Sequence, residues 1–197
     1  MDLKVGEIAE LLYETGCIKF GVFKLSSGKV SSIYVDLRIL SSFPKEFKTI
    51  VKLSSQIINR VNFDIIAGVA VGGLPLATAI AYELNKPLIY VRKTVKDHGT
   101  GRLVEGVIRK GVKALIVDDV ATTGNSLVRT INILRENGAK IDHAFVVIDR
   151  EQGSREKLRK MGIELLSLAT LREVIKELYT RKRIDYETYV KVLSSLG

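Results

Sequence analysis

Two rhythms of apolar and polar positions divide this chain, and the change falls near Asp64. Ahead of it, Leu3, Ile8, Leu11 and Leu12 lie near helical spacing, which predicts an amphipathic helix from Leu3 to Thr15 stopped by Gly16. Phe20 to Val35 then reads as two β-type runs around Ser26-Ser27-Gly28-Lys29, the signal of a hairpin. Asp36-Leu37-Arg38 closes that hairpin. Ser42-Phe43-Pro44 predicts the start of a helix reaching about Arg60, because proline fits the first helical turn.

After Asp64, short β-branched runs alternate with amphipathic segments. Strands are predicted at Ile65 to Ala70, Leu88 to Arg92, Lys113 to Val117, Ile141 to Ile148 and Glu164 to Leu168. Helices are predicted at Leu74 to Leu84, Asn125 to Asn137 and Ser154 to Met161, the last two ended by Gly138 and Gly162. Strands separated by single helices need right-handed crossovers, and such strands are covered on both faces. The expectation is an α/β fold, a doubly wound, mainly parallel sheet flanked by helices. Residues 64–168 would supply the core sheet and residues 1–43 an N-terminal hood of helix plus hairpin. Residues 169–197 would add two helices, Leu171 to Arg181 and Asp185 to Leu196, packed on an edge or on the hood. Residues 94–106 break the pattern: Gly99, Gly101 and Gly106 stand among charges with few apolar anchors, which predicts a mobile lid.

A chain of 197 residues, 46% hydrophobic and 27% charged, suffices for one well-cored domain, 1–197, and not for two large ones. No apolar run approaches the ~18 to 20 residues of a membrane span, and the first residues alternate charged with apolar side chains. A cytoplasmic protein without a membrane partner is expected. The single Cys17 excludes an intramolecular disulfide and a cysteine zinc site, and is expected to be a buried small hydrophobe. The net charge of +9 raises nucleic acid as a partner. Yet the cations are spread through the chain and no helix-turn-helix, zinc-finger or aromatic RNA-binding signature occurs, so none is expected. Small anionic substrates suit the charge better, since Arg92, Lys93, Lys96 and Arg102 crowd one glycine-containing segment. The run Arg181-Lys182-Arg183 reads as a solvated helix end.

The densest chemistry lies between Ala114 and Ser126, where an apolar run ends in Asp118-Asp119 and a Thr122-Thr123-Gly124-Asn125-Ser126 loop opens a helix. The first N–H groups of a helix lack intrahelical partners and sit at the positive end of its dipole, so a phosphate monoester settles there. Thr122, Thr123 and Ser126 add hydroxyls, and Gly124 permits close approach and a positive φ. Asp118 and Asp119 would face sugar hydroxyls or a divalent ion. Gly68-Val-Ala-Val-Gly72-Gly73-Leu-Pro75 is a second anion cradle between strand and helix. It matches neither the dinucleotide fingerprint nor the P-loop. Two cradles at neighbouring strand ends suit a ligand with a phosphate at one end and a pyrophosphate at the other, such as phosphoribosyl pyrophosphate.

Val117-Asp-Asp-Val-Ala-Thr-Thr-Gly-Asn-Ser126 resembles the phosphoribosyl pyrophosphate signature of the type I phosphoribosyltransferases. Three further segments narrow the resemblance to the orotate phosphoribosyltransferases: Lys19 to Gly28 with Tyr34-Val-Asp-Leu-Arg38, Arg92 to Gly99 with Leu103-Val-Glu-Gly106, and Asp149-Arg150. In one departure, Ser32 stands where the family pattern has proline after the hairpin serine.

The resemblance implies reversible, Mg²⁺-dependent transfer of phosphoribosyl from phosphoribosyl pyrophosphate to orotate, giving orotidine 5′-monophosphate and pyrophosphate. It assigns phosphoribosyl pyrophosphate to Lys19, Gly72, Gly73, Arg92, Lys93, Lys96, His98, Asp118, Asp119, Val120, Ala121, Thr122, Thr123, Gly124, Asn125 and Ser126. Within that set, the loop from Thr122 holds the 5′-phosphate, the acids touch the ribose hydroxyls, and Gly72-Gly73 with Arg92, Lys93, Lys96 and His98 serve the pyrophosphate. Thr122 and Arg150 meet orotate, and Lys96, His98, Asp118 and Asp119 carry catalysis. No direct protein ligand is assigned to Mg²⁺, which the substrate mainly holds, with Asp118 or Asp119 acting through water. The lid serves the neighbouring subunit, so a homodimer with shared sites is implied.

The residue types agree with that chemistry. Breaking the bond at the anomeric carbon builds positive charge on the ribose and negative charge on pyrophosphate, so carboxylates belong near one and cations near the other. His98 is placed to give a proton or hydrogen bond to the leaving group. Arg150, at a strand end, has the fork that suits a carboxylate. Phe20 and Phe23 read equally well as a stacking face or as core, and His143 as structural. Two alternatives share the fold. A purine phosphoribosyltransferase fits Lys96-Asp-His98 and Asp149-Arg150 poorly, and a phosphoribosyl-pyrophosphate-sensing regulator would need a DNA-binding segment that the N-terminus does not show.

Overall fold

In the computed structural model, residues 5–24, 30–94 and 103–196 are described. The hood comprises α1 (Val5–Glu14), β1 (Ile18–Lys24) and β2 (Val30–Val35), followed by a 3-10 turn (Leu37–Ser42) capped by the Asp36 side chain. There follow α2 (Pro44–Ile58), β3 (Ile65–Val69), α3 (Leu74–Glu83), β4 (Leu88–Val91), β5 (Val104–Glu105) and β6 (Ala114–Ala121). The chain continues through α4 (Asn125–Glu136), β7 (His143–Asp149), α5 (Ser154–Lys160), β8 (Glu164–Thr170), α6 (Leu171–Thr180) and α7 (Tyr186–Leu196).

The main sheet has the order β5-β4-β3-β6-β7-β8 and is parallel except for β5. From β3 the chain steps outward to β4, then returns to the other side of β3 to lay down β6, β7 and β8. In such sheets ligands bind where the order reverses, outside the carboxyl ends of the strands. Here that place is the mouth between β3 and β6, the strands that carry the two cradles.

Alternation along the strands splits the core in two. Ile66, Leu115, Val117, Phe145 and Val147 face a cluster built with α1, α2, α3, α6 and α7. Ile65, Ala67, Ile116, Ala144 and Val146 face the other side, against Leu127, Ile131 and Leu134 of α4 and Leu158 of α5. Burial on both faces is what makes these strands almost wholly apolar.

The C-terminal helices pack as expected, α6 on α1 and α7 on β2. A capping box starts α6, in which Thr170 and Glu173 satisfy each other's backbone N–H groups. Ser32, at the family's proline position, hydrogen-bonds Ser195 of α7 at 3.2 Å and so ties the hairpin to the last helix. Cys17 is buried, as expected. His143 lies 3.7 Å from Glu164 on the neighbouring strand.

Several expectations need correction. The strand predicted to end at Val117 continues to Ala121, so the acids lie within it. β3 stops pairing with β6 at Gly68, but β7 continues alongside through Asp118↔Val146 and Ala121↔Asp149, and that pairing overrides the poor strand propensity of aspartate. The predicted lid is pinned at its far end: β5 pairs antiparallel with β4, and Leu103 and Val104 pack on the second core. Gly106 is needed there, because its φ is +104° and a Cβ would stand 2.7 Å from the Ile89 side chain. Arg183 is exposed beyond the end of α6, as expected, but it also donates to Glu10 at 2.6 and 2.8 Å and to Glu14 at 2.8 Å, clamping α1. The hairpin turn at 25–29 and residues 95–102, including Lys96, His98 and Arg102, lie outside the described residues.

Phe145 is fully buried in the first core. Phe145→Ala is expected to lower unfolding free energy by about 3–5 kcal/mol in a urea titration, with the slope of the transition unchanged.

Candidate active site

At the mouth between β3 and β6, backbone meets carboxylate with no room for a side chain. The turn from β3 into α3 brings Gly73 against Asp118, where an added Cβ would lie 2.6 Å from the Asp118 Cα. At Gly72 a Cβ would lie 2.8 Å from Oδ2 of Asp119. Gly73 has φ −76° and ψ −13°, ordinary helical values, so contact and not backbone conformation excludes a side chain there. The two cradles therefore form one continuous surface.

The acids themselves differ. Asp118 is 5% exposed; its Oδ1 accepts from the Asp119 N–H at 2.9 Å and its Oδ2 from Ser126 Oγ at 3.3 Å. Asp119 is half-buried and accepts from the Val120 N–H at 2.8 Å. Gly124 caps α4 in the left-handed region at φ +75° without a side-chain hydrogen bond, so the first N–H groups of the helix have no side-chain cap. A Cβ on Gly124 would press 3.1 Å from the Ser154 Cα, which sets the start of α5 behind the loop. Lys157 of α5 donates to Asn125 Oδ1 at 2.8 Å. Thr122 is half-buried and Thr123, Asn125 and Ser126 are exposed, while Ala121 is buried beneath them.

A family model described as the phosphoribosyl transferase domain matches residues 38–178. The orotate phosphoribosyltransferase of Pyrococcus horikoshii is 45% identical over 172 residues, which cover 86% of this chain and 92% of that protein. The crystal structure of the Aeropyrum pernix orotate phosphoribosyltransferase superposes with a TM-score of 0.77 at 39% identity, covering 87% of this chain and 97% of that one. Leishmania donovani UMP synthase superposes with a TM-score of 0.89 at 32% identity; the match covers 99% of this chain and 42% of that one. The chain belongs to the orotate phosphoribosyltransferases. It is thus a phosphoribosyltransferase of pyrimidine synthesis, and the relatives decide against the purine and regulatory readings.

As an orotate phosphoribosyltransferase, the chain adds two groups around the central cradle. At the end of β4, next to β3, Arg92 donates to Glu105 at 3.2 Å, and the Arg92 and Lys93 carbonyls accept from Arg129 of α4 at 3.0 and 2.8 Å. At the end of β7, Arg150 donates its N–H to the Ala121 carbonyl at 2.9 Å. The preceding Asp149 is fully buried and accepts from the Glu151 N–H, Ser154 Oγ and Arg155 Nε, which fixes the strand end. Arg150 is 9% exposed, and its Nε finds no partner. Burial lowers the guanidinium pKa, so an anion here would gain strongly from pairing.

Lys19 stands apart on β1, exposed and opposite Tyr34. The hood reaches the cradle through Arg38, which grips the Asp36 carboxylate at 2.7 Å and whose charge is favoured first by Asp36 and also by Asp119. Arg38 and Asp119 line the same small cavity with Gly72. Phe20 packs on the first core and lies 6.2 Å from Tyr13, while Phe23 stacks on Tyr34 at 5.4 Å. Sequence reasoning missed Arg129 and Lys157. Arg129 falls one turn after Asn125 on the helix that the loop opens, a spacing that marks the same helix face.

Burial, then the neighbouring Asp119 charge, pushes the Asp118 carboxyl well above its ordinary range. A folded-state pKa above the unfolded value makes this group's contribution to stability complete below about pH 4 and declining as pH rises from there. The ligand-free protein is expected to lose stability relative to Asp118→Asn between pH 4 and 8 in thermal melts. Parallel pH profiles for the two proteins would contradict this.

Proposed function

We propose that this site transfers phosphoribosyl from phosphoribosyl pyrophosphate to orotate, and that Arg150 selects the base. The supporting observation is the buried Arg150 guanidinium, whose unpartnered Nε suits the carboxylate of orotate. The α4 loop, Thr122 to Ser126, holds the 5′-phosphate on free N–H groups and hydroxyls, with Val120 and Ala121 forming the strand floor. Asp119, half-buried at the mouth, and Asp118 behind it face the ribose hydroxyls. Gly72, Gly73, Arg92 and Lys93 take the pyrophosphate, joined by Lys96 and His98; Lys19 serves substrate from the hood, and Thr122 also meets the base.

In the reaction the C1–O bond to pyrophosphate breaks and the leaving group keeps the electron pair, while a ring nitrogen of orotate gives up its proton to solvent and forms the new bond to C1. The ribose passes through a positively charged state that the carboxylates stabilise, and the cations stabilise the departing pyrophosphate. His98 gives the leaving group a proton or a hydrogen bond.

Among the described residues no group of three or more His, Cys, Asp and Glu side chains is placed to hold a metal ion. Two adjacent carboxylates, one already engaged with Ser126 and a backbone N–H, fit Mg²⁺ that keeps waters and substrate oxygens as its main ligands. Asp119 would hold it through water. When bound, the ion neutralises pyrophosphate charge.

The working unit in this reading is a homodimer with shared sites. An apolar groove of about 730 Å³ between α2 and α3, lined by Pro44, Phe47, Val51, Leu74 and Tyr82, supports it. Exposed Val71 belongs both to that groove and to the glycine turn of the cradle, so a partner seated there adjoins the site. Among the described residues no helix is long and apolar enough to cross a membrane. The charge of +9 suits anionic substrates.

Purified protein supplied with Mg²⁺, phosphoribosyl pyrophosphate and each base in turn is expected to consume orotate and no purine. Arg150→Met should weaken orotate binding about tenfold to a hundredfold, the worth of a hydrogen bond to a charged group, with circular dichroism unchanged. Consumption of a purine instead, or unchanged orotate affinity, would contradict the assignment.

A further inference from the structure

We infer that Arg129 is a positioning residue that aims Arg92 and Lys93 at the pyrophosphate subsite. The inference rests on the pyrophosphate assignment above and adds a residue outside it. Arg129 sits in the second turn of α4, the helix whose first turn is the phosphate loop. Its guanidinium spans two consecutive carbonyls, Nη1 to Arg92 at 3.0 Å and Nη2 to Lys93 at 2.8 Å. Both carbonyls lie beyond Val91, the last residue of β4, where sheet pairing no longer dictates the backbone. The Arg92 N–H remains tied to the Leu103 carbonyl at 2.8 Å, and the Arg92 side chain to Glu105. With the carbonyls also held, the backbone at Arg92 is gripped from both sides.

The consequence is a fixed span. One helix carries the phosphate loop at its N-terminus and, a single turn later, the anchor for the cations proposed to meet the other end of the ligand. A ligand with two separated phosphate groups gains most from that span, because its two ends are prepaid in orientation. A ligand with one group does not use it. Arg129 is exposed, so its hydrogen bonds contribute little to global stability. A planar fork reaches two carbonyls at once, whereas lysine offers one point charge, so Arg129→Lys should restore only part of the effect.

The test is calorimetry in Mg²⁺ buffer with inorganic pyrophosphate and, separately, ribose 5-phosphate, on Arg129→Met, Arg129→Lys, Lys93→Ala and the Arg129→Met/Lys93→Ala double variant. Arg129→Met is expected to weaken pyrophosphate about tenfold, from two lost hydrogen bonds, and to leave ribose 5-phosphate and the melting temperature unchanged. Arg129→Lys should fall between, and Lys93→Ala should cost less in the Arg129→Met background than in the parent. If Lys93→Ala weakens pyrophosphate while Arg129→Met does not, or weakens both ligands equally, or adds independently to Lys93→Ala, the positioning role is overturned and the pyrophosphate assignment stands. If Lys93→Ala leaves pyrophosphate binding intact, the assignment fails and the inference with it.

Discussion

The site depends on the contact between the backbone at Gly72-Gly73 and the carboxylates of Asp118-Asp119. Two strand ends, each followed by its own helix, would ordinarily present two separate anion cradles. Because Gly73 lies where a Cβ would collide with the Asp118 backbone, β3 and β6 deliver their cradles to one place. The reversal of strand order between them leaves the mouth open above the contact. Remaining parts of the site are arranged around this seam: Arg92 and Lys93 one strand outward on β4, Arg150 one strand outward on β7.

That arrangement sorts charge in the manner the chemistry needs. Carboxylates occupy the centre and cations both flanks, so in the proposed reaction positive charge on a sugar and negative charge on a leaving group would be met by different sides of one cleft. Burial makes the sorting effective. Asp118 is held neutral more readily than a free carboxyl, and Arg150 is poorly solvated and incompletely paired. The buried guanidinium is costly in the empty protein and would be relieved by an anionic ligand, which would link affinity to specificity.

Much of this was legible in the chain itself, for identifiable reasons. Buried parallel strands are apolar throughout and their helices end at glycines such as Gly138 and Gly162, so the alternation of elements shows in a single sequence. The Asp-Asp-Val-Ala-Thr-Thr-Gly loop is local, and local chemistry can be read without a fold. What escaped reading was set by contacts distant in sequence. The continuation of β6 through two aspartates depends on β7, and β5 depends on two residues finding the edge of β4. The clamp that the exposed Arg183 makes was not legible because its partners, Glu10 and Glu14, lie at the opposite end of the chain. Arg129 was passed over for the same reason, since backbone carbonyls leave no trace in composition.

In the proposed reaction the two cradles act as one because no side chain separates them. Gly73→Ala is the decisive variant, since alanine tolerates the φ and ψ of this residue and only the approach to Val117 and Asp118 of β6 is disturbed. The measurement is the affinity for phosphoribosyl pyrophosphate, with circular dichroism to confirm the fold. A loss of at least about tenfold, equivalent to ~1.4 kcal/mol, is expected, with secondary structure retained. A folded Gly73→Ala protein that binds phosphoribosyl pyrophosphate as the parent does would contradict it.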